Sequence, residues 1–212
     1  MISIIGLGTG GSKIAKEFEQ YSVYNVYALD FLEKYEKPED YEKNVPDLRE
    51  YFMDIDSRVQ FFVVGSSYSS NYALGILEQI KDKKIDLIYI KPDTELLAGV
   101  PKLVERAAFG VLQEYARSGL FNSITLINNL NVEQVLQNVP IKTYYNTLNT
   151  MIASSVHYVN YFENSDPIIG VKSKPPEVAR IRSIGALDMD TLEEKWFFDL
   201  DIDRDICYYL CI

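Results

Sequence analysis

The first thirty residues constrain the fold of this chain more than any other stretch of its sequence. A β-branched apolar run over residues 2–5 leads directly into the glycine-rich sequence 6–12, GLGTGGS. A helical pattern follows, and a second apolar run, residues 23–29, stops at Asp30. This order predicts a strand, a tight turn, a helix and a second strand. Because glycine has no Cβ, the turn can bring its N–H groups close to a ligand, and the helix that begins there favours a phosphate.

Strand and helix signals continue to alternate over the first 160 residues. Short apolar runs predict the strands, and apolar residues spaced three and four apart predict the helices. Together they predict an α/β fold with a mostly parallel, Rossmann-like sheet flanked by helices. The predicted strands are 59–64, 85–90 and 123–127, and the predicted helices are 72–81, 103–120, 132–136 and 142–162. The residues expected on the buried sides of the helices at 72–81 and 103–120 include Leu74, Ile76, Leu77, Ile80, Leu103, Ala107, Val111 and Leu112.

An acidic segment interrupts this alternation after the second strand. Residues 31–58 are rich in charge, tyrosine and proline, and are too polar for a core segment. They predict a solvated surface insertion with one helix at 46–53.

The C-terminal tail has a different pattern from the rest of the chain. Its short alternating or aromatic runs, separated by acidic turns, predict antiparallel strands at 179–187, 194–200 and 206–212. The sequence therefore divides into a nucleotide-binding domain over 1–162 and a small antiparallel β appendage, a reduced C-terminal subdomain, over 163–212.

The net charge of −10 and the pI of about 4.7 disfavour binding to nucleic acid. The two cysteines, Cys207 and Cys211, are expected to be free thiols in a reducing cytosol. We see no signal peptide and no apolar run long enough to span a bilayer, so no membrane partner and a cytoplasmic location are expected. His157 is the single histidine, which argues against a His-based triad or metal site, and no metal site of the protein's own is predicted.

Gly6, Gly8 and Gly11 satisfy the pattern G-x-G-x-x-G, with Asp30 nineteen positions after Gly11. The same pattern is the fingerprint of NAD-binding Rossmann units. The sequence therefore leaves open an NAD(P)- or nucleotide-dependent enzyme that uses these glycines and Asp30, although no catalytic base stands out. A tight turn without any ligand is a further interpretation.

A second turn of small residues follows the strand at 59–64. Residues 65–71, GSSYSSN, offer backbone N–H groups and four serine hydroxyls at the start of a helix, which suits a polyphosphate. The alternative is ordinary helix capping by serine. If both turns bind one anionic ligand, Thr9 and Ser67 must share a cleft.

The chain resembles the tubulin/FtsZ superfamily of GTP-binding cytoskeletal proteins over roughly residues 1–162. Residues 6–12 resemble the first phosphate loop of that family, and residues 65–71 fall where the family carries its glycine-rich signature loop. The sequence LNTMI at 148–152 resembles the family's Leu-Asn-x-Leu-Val helix motif. The resemblance implies GTP or GDP, with Mg²⁺, as the ligand, Asn149 as the reader of the guanine edge and Tyr145 as a stacking partner for the base. The nucleotide-binding residues expected from the turns and the resemblance are Gly6, Gly8, Thr9, Gly10, Gly11, Ser12, Asp30, Gly65, Ser66, Ser67, Tyr68, Ser69, Ser70, Asn128, Tyr145 and Asn149.

The sequence also departs from the pattern of the family. Only Gly65 remains of the signature-loop glycines, and the acidic Asn-x-Asp loop that the family donates to a neighbour's nucleotide is not recognisable. Glu163 and Asp166 lie close to its place and are the candidate catalytic residues. The resemblance thus implies head-to-tail filaments, formed by self-association, with slow or absent GTP hydrolysis. A third interpretation, a pure interaction protein, is based on the sixteen tyrosines.

Overall fold

The computed structural model describes residues 1–35, 37–95, 97–136, 138–167, 176–201 and 205–210. Strands and helices alternate through most of this chain, and short 3₁₀ segments cover Glu17–Gln20, Tyr68–Tyr72 and Ile141–Thr143. The strands are β1 (Ile2–Leu7), β2 (Tyr24–Leu29), β3 (Arg58–Val64), β4 (Lys84–Lys91), β5 (Ser123–Asn128), β6 (Ile181–Ser183), β7 (Gly185–Leu187) and β8 (Glu194–Trp196). The helices are α1 (Gly8–Lys16), α2 (Pro38–Lys43), α3 (Ala73–Gln79), α4 (Val100–Ser118), α5 (Asn129–Leu136) and α6 (Tyr144–Asn164).

A six-stranded parallel sheet organises the molecule, with strand order β2-β1-β3-β4-β5-β6. Strands β1, β3 and β4 are buried along nearly their whole length, because helices or packed loops cover both faces of the sheet. One hydrophobic cluster contains Phe61 and Leu126, and the other, on α1 and α6, contains Phe62 and Ile152. The predicted α/β class, with its mostly parallel sheet, is confirmed.

The tail corrects one part of the prediction. Residues 181–183 do not form an antiparallel appendage, because β6 adds to the main sheet parallel to β5, with Ile124 opposite Ile181. Among the described residues, β7 and β8 alone pair in the antiparallel sense, which confirms a small antiparallel sheet in the tail, and residues 206–210 carry no strand. Cys211 lies outside the described residues, and Cys207 is a free thiol.

The acidic insertion also differs from its prediction. Its helix is α2, at Pro38–Lys43, whereas the predicted helix at 46–53 is a series of turns. The insertion is not simply solvated, because Tyr41, Phe52 and Ile55 are buried in the cluster that contains Phe61. Tyr41 and Ile55 each stand between two charged residues, and Phe52 stands between the exposed residues Tyr51 and Met53, so the three pack into the core without showing any helical periodicity.

The buried faces of two helices are rotated relative to the prediction. Leu74 on α3 is exposed, whereas Ile76, Leu77 and Ile80 are buried as predicted. On α4, Leu103, Ala107 and Val111 are exposed, whereas Leu112 is buried as predicted and Ala116 also faces the core. No described helix has the length and hydropathy that crossing a membrane requires.

Candidate functional site

The strand order places the two predicted turns side by side. The chain passes from β1 to β2 on one side and then returns to form β3 on the other side of β1, so β1 and β3 flank a topological switch point. Ligands of open α/β sheets bind in the crevice at this point, outside the carboxyl ends of the strands. A Cβ built on Gly8 would lie 2.9 Å from the Cβ of Ser69 and 3.4 Å from the Oγ of Ser67. The glycine turn and the serine turn are therefore in direct contact.

Close packing explains why the first turn is made of glycines. A Cβ on Gly6 would lie 2.2 Å from the carbonyl oxygen of Gly11, and a Cβ on Gly11 would lie 2.7 Å from the carbonyl oxygen of Phe62. Gly8 begins α1 with a φ of +73°, in the left-handed region. A Cβ on Gly10 would lie 2.8 Å from a methyl group of Val64, so this position faces β3.

The first turn of α1 leaves its N–H groups without side-chain partners. No side chain caps the helix, whose preceding residue is Leu7. Such uncapped N–H groups, together with the helix dipole, form an anion-binding position. Thr9, which is exposed, donates a hydrogen bond to the Asp30 carboxylate at 3.0 Å. The hydroxyl of Ser12 is buried and lies 3.0 Å from the carbonyl oxygen of Leu29, so it ties α1 to the end of β2.

In the serine turn, several hydroxyls have partners within the protein. Ser67 accepts a hydrogen bond from the N–H of Ser70 at 3.1 Å, and the Ser70 hydroxyl donates to the carbonyl oxygen of Ser67 at 2.6 Å. Ser69 is buried and donates to the carbonyl oxygen of Phe31. Ser66 is exposed, with a φ of 61°. Capping by Ser67 is thus present in addition to any ligand role of the turn.

Two further contacts shape the region around the serine turn. Tyr68 is exposed, and the ammonium group of Lys34 lies 4.5 Å from the centre of its ring, a cation–π contact. Below the turn, Gly65 packs on Tyr89, whose hydroxyl oxygen would lie only 2.2 Å from a Cβ at that position. The Tyr89 hydroxyl donates to buried Glu105 at 3.3 Å. Sequence reasoning missed Glu105, because a single acid on a helix gives no sign of burial.

Asn149 stands out among the residues expected to contact the base. It is 9% exposed and lies on the buried stripe of α6, the helix that packs against α1. Its amide has no hydrogen-bond partner among the described residues and is accessible to water, since the Tyr209 hydroxyl is the buried polar side-chain atom of these residues that lacks a partner. Asn160 on the same stripe is satisfied, because it exchanges two hydrogen bonds with Gln60 and donates to Tyr24.

The other two residues expected near the base have simpler surroundings. Tyr145 is 67% exposed, and its ring contacts the ring of Tyr144. Asn128 ends β5, and its side-chain oxygen accepts from the N–H of Leu130, which caps α5. His157, expected to be structural, stacks on Tyr21 at 3.7 Å and bonds the hydroxyl of Tyr24 through its Nδ1. Burial lowers the pKa of His157.

Glu163 and Asp166 lie near the amino ends of the strands, whereas the two turns lie at the carboxyl ends. Glu163 accepts a hydrogen bond from Arg58 at 3.1 Å, and Arg58 also pairs with buried Asp86 at 2.8 Å. Arg58 begins β3 and Gly65 follows its end, so these two residues are about 23 Å apart at about 3.3 Å per residue. Within one protomer, neither acid reaches the cleft at the turns. Asp166 is exposed.

The comparisons with known proteins indicate the fold. No family model and no curated protein matches the sequence. Among solved structures, the chain is similar to an empty FtsZ dimer from M. jannaschii, with a TM-score of 0.56, 12% identity, and coverage of 81% of this chain and 57% of that one. It is also similar to TubZ of Bacillus thuringiensis serovar israelensis in a GTPγS-form protofilament, with a TM-score of 0.55, 11% identity, and coverage of 74% of this chain and 56% of that one.

These similarities lie in the backbone, since the sequence identities are low. The chain spans somewhat more than half of the length of each of these two proteins. The likeness covers 81% and 74% of this chain. The chain has the tubulin/FtsZ-like fold.

Proposed function

We propose that this protein binds GTP in the cleft between the glycine turn and the serine turn. The observation that carries the proposal is the contact between Gly8 and Ser69, which brings two turns at neighbouring strand ends to one place. Uncapped N–H groups at the start of α1 suit a phosphate. The TubZ structure to which the chain is similar is in a GTPγS form.

Asn149 supplies the proposed base selectivity. A buried amide offers one carbonyl acceptor and two N–H donors, which can pair with the edge of a guanine. The amide of Asn149 has no partner among the described residues and is accessible to water, so it is available to a ligand on the stripe of α6 that faces α1. Tyr145 is exposed nearby on the same helix and can stack on the base.

A magnesium ion would be held mainly by the nucleotide. No group of three or more potential ligand residues occurs in the described part of the chain. Mg²⁺ commonly binds through one or two protein oxygens together with phosphates and waters. Thr9 and Asp30, whose side-chain oxygens lie 3.0 Å apart beside the glycine turn, fit that role. The ion would then neutralise phosphate charge at a site whose turns carry no lysine or arginine.

We further propose head-to-tail assembly with slow or absent hydrolysis. Because Asp166 and Glu163 lie about 23 Å from the turns at about 3.3 Å per residue of β3, they can act only on the nucleotide of a neighbouring protomer. Contacts between two different surfaces produce filaments when the rotation does not close. Glu163 pairs with Arg58 and Asp166 is exposed, and neither acid restores the family's acidic loop, so we expect hydrolysis to be slow or absent.

The nucleotide that co-purifies with the protein tests the proposal directly. We expect guanine nucleotide in the denatured extract, and we expect GTP but not NADH to raise the melting temperature of the stripped protein. A shift with NADH alone would support the Rossmann-type enzyme instead, and no shift with either would favour an interaction protein. Asp166→Ala should change GTP turnover little, and a large loss of turnover would show that this acid is catalytic.

A further inference from the structure

Strand β2 forms one edge of the main sheet and is unusually open. All of its residues except Leu29 are partly exposed, although they pair one-to-one with the fully buried strand β1. Tyr24 and Val26 pack on the cluster beneath α1 and α6, whereas Tyr27 packs on the opposite cluster with Tyr51. Both faces of β2 are therefore covered, and the part of the strand that is exposed is its outer side, away from β1.

The outer backbone groups of residues 25–28 are free within the described chain. Apart from the ladder with β1, these residues make no backbone hydrogen bond to the described residues, whereas the carbonyl oxygen of Leu29 accepts from the Ser12 hydroxyl. In a parallel ladder, alternate residues direct their N–H and C=O groups away from the neighbouring strand. Such a row of groups is a template for a further strand.

The residues of the strand also lack the features that normally prevent pairing, although the acid Asp56 lies beside it and accepts a hydrogen bond from the Asn25 side chain. Residues 21–29, YSVYNVYAL, contain no charged residue and no proline, in a chain that is 25% charged. The register between β1 and β2 runs without a bulge. The opposite edge of the sheet is protected, because β6 has only three residues. Proteins usually protect long edges with lysine, proline or bulges, so an unprotected strand of six residues indicates a partner.

We propose that β2 pairs antiparallel with β2 of a second copy of this chain, which joins two sheets into one. A two-fold axis normal to the sheet keeps the equivalent faces of both copies on the same side, so both hydrophobic clusters continue across the interface. Exposed Val23 and Tyr51, at 54% and 51%, flank the strand and gain cover from the partner. The antiparallel sense also keeps each Asp30 away from its own copy, next to the uncharged start of the partner strand.

This dimer is independent of the proposed nucleotide site. Its interface is isologous and closes after two copies, whereas the proposed filament is head-to-tail and needs the nucleotide cleft. The dimer is therefore expected in nucleotide-free protein. If GTP binding fails but the dimer forms, the proposed function is wrong and this inference stands.

Sedimentation of the nucleotide-free protein tests the proposal. The protein is used at about 100 µM, because an interface made mainly by one pair of strands is small and therefore weak. We expect twice the monomer mass for the wild type. Val23→Glu adds an acid at an interface between two chains that each carry a net charge of −10 and should raise the dissociation constant about tenfold, whereas Val23→Lys reduces that repulsion and should lower it. Met189→Glu is the matched control, because Met189 is 63% exposed on the turn between β7 and β8, and it should change nothing. A monomeric wild type, or equal weakening by both substitutions at Val23, would overturn the antiparallel pairing.

Cysteine cross-linking provides a second readout that does not depend on affinity. In a chain with Cys207→Ser and Cys211→Ser, single cysteines are placed at each of positions 25 to 28. In an antiparallel pair related by a two-fold axis, the residue at the axis lies opposite itself, so one position should form a disulfide dimer far faster than its neighbours. Met189→Cys supplies the background rate. Cross-linking no faster than this background at all four positions would refute the dimer.

Discussion

Replacing Asn149 by leucine should leave the stability of the nucleotide-free protein nearly unchanged and abolish its response to GTP. The amide of Asn149 has no partner among the described residues and is not sealed from water, so leucine removes no hydrogen bond within the protein. A substitution that breaks no internal contact changes the free energy of unfolding by about 0.5 kcal/mol or less. We therefore expect the melting temperature to change by less than about 2 °C in a chain of this size.

Asn160→Leu is the matched control, since it changes the same residue type on the same stripe of the same helix. Asn160 exchanges hydrogen bonds of 2.7 and 2.8 Å with buried Gln60, and leucine would leave the amide of Gln60 without both partners. This loss should cost about 3 kcal/mol and lower the melting temperature by about 8 °C. Its response to GTP should remain, because Gln60 lies in the middle of β3, away from the turns.

Calorimetry with and without GTP separates the two variants. For the wild type, GTP at a hundred times its dissociation constant should stabilise the fold by about 2.7 kcal/mol. Asn149→Leu should begin from nearly the melting temperature of the wild type and show little rise with GTP. If Asn149→Leu destabilises the free protein as Asn160→Leu does, Asn149 is a structural residue. If the variant keeps the full GTP response, Asn149 does not read the base.

Three other perturbations test the packing described above. Gly110 lies in the interior of α4 with open space around it, so Gly110→Ala should raise the free energy of unfolding in urea by about 0.5–1 kcal/mol. A Cβ on Gly6 would lie 2.2 Å from a carbonyl oxygen of α1, so Gly6→Ala should prevent folding as judged by circular dichroism. Arg58→Met leaves Asp86 buried without its cation and should cost about 3–5 kcal/mol; a loss below about 1 kcal/mol would show that the pair is dispensable. Because the pKa of His157 is lowered in the folded protein, the unfolded chain takes up a proton first as the pH falls, and stability decreases below about pH 6.5. His157→Phe should flatten this part of the plot of urea midpoint against pH, and an unchanged plot would contradict the lowered pKa.

The strands could be predicted from the sequence because their burial is nearly complete. Strand β3 reads as the continuous apolar run FFVV after Gln60, and β4 reads as an apolar run that ends at Lys91 and Pro92. Both strands are covered on two faces, so no alternation of polar residues obscures them. The glycine turn was equally predictable, since Gly6 and Gly11 approach backbone atoms too closely for any side chain.

The insertion could not be predicted, because its contribution to the core is made by isolated residues. Tyr41 stands between Asp40 and Glu42, and its burial depends on ring contacts with Tyr35 and Tyr72. Periodicity detects a face that recurs along a segment, whereas single anchors from a loop depend on tertiary contacts. The same limit applies to β6, whose parallel pairing with β5 follows from where the tail returns in space.

The candidate site was only partly visible in the sequence, for a related reason. The turns could be located, but the partners of Ser67 and Ser70 within the second turn, and the absence of a partner for Asn149, are properties of the folded chain. Asn149 was singled out by the resemblance of its helix motif. Its burial was not expected, since an asparagine among polar neighbours is equally compatible with an exposed helix face.

The glycine pattern by itself does not choose between a dinucleotide and GTP. Gly6, Gly10 and Gly11 each have a steric reason within the protein, since a Cβ at these positions would meet α1, Val64 or β3. A substitution such as Gly10→Val therefore pushes against Val64 before it reaches a phosphate, and its effect on binding cannot be separated from its effect on packing. The choice of ligand depends instead on the strand that neighbours β1 and on the helix that covers α1. Because β3 lies beside β1 and brings the serine turn against Gly8, and because α6 leaves Asn149 unpaired, variants of Asn149 distinguish the ligands and glycine variants do not.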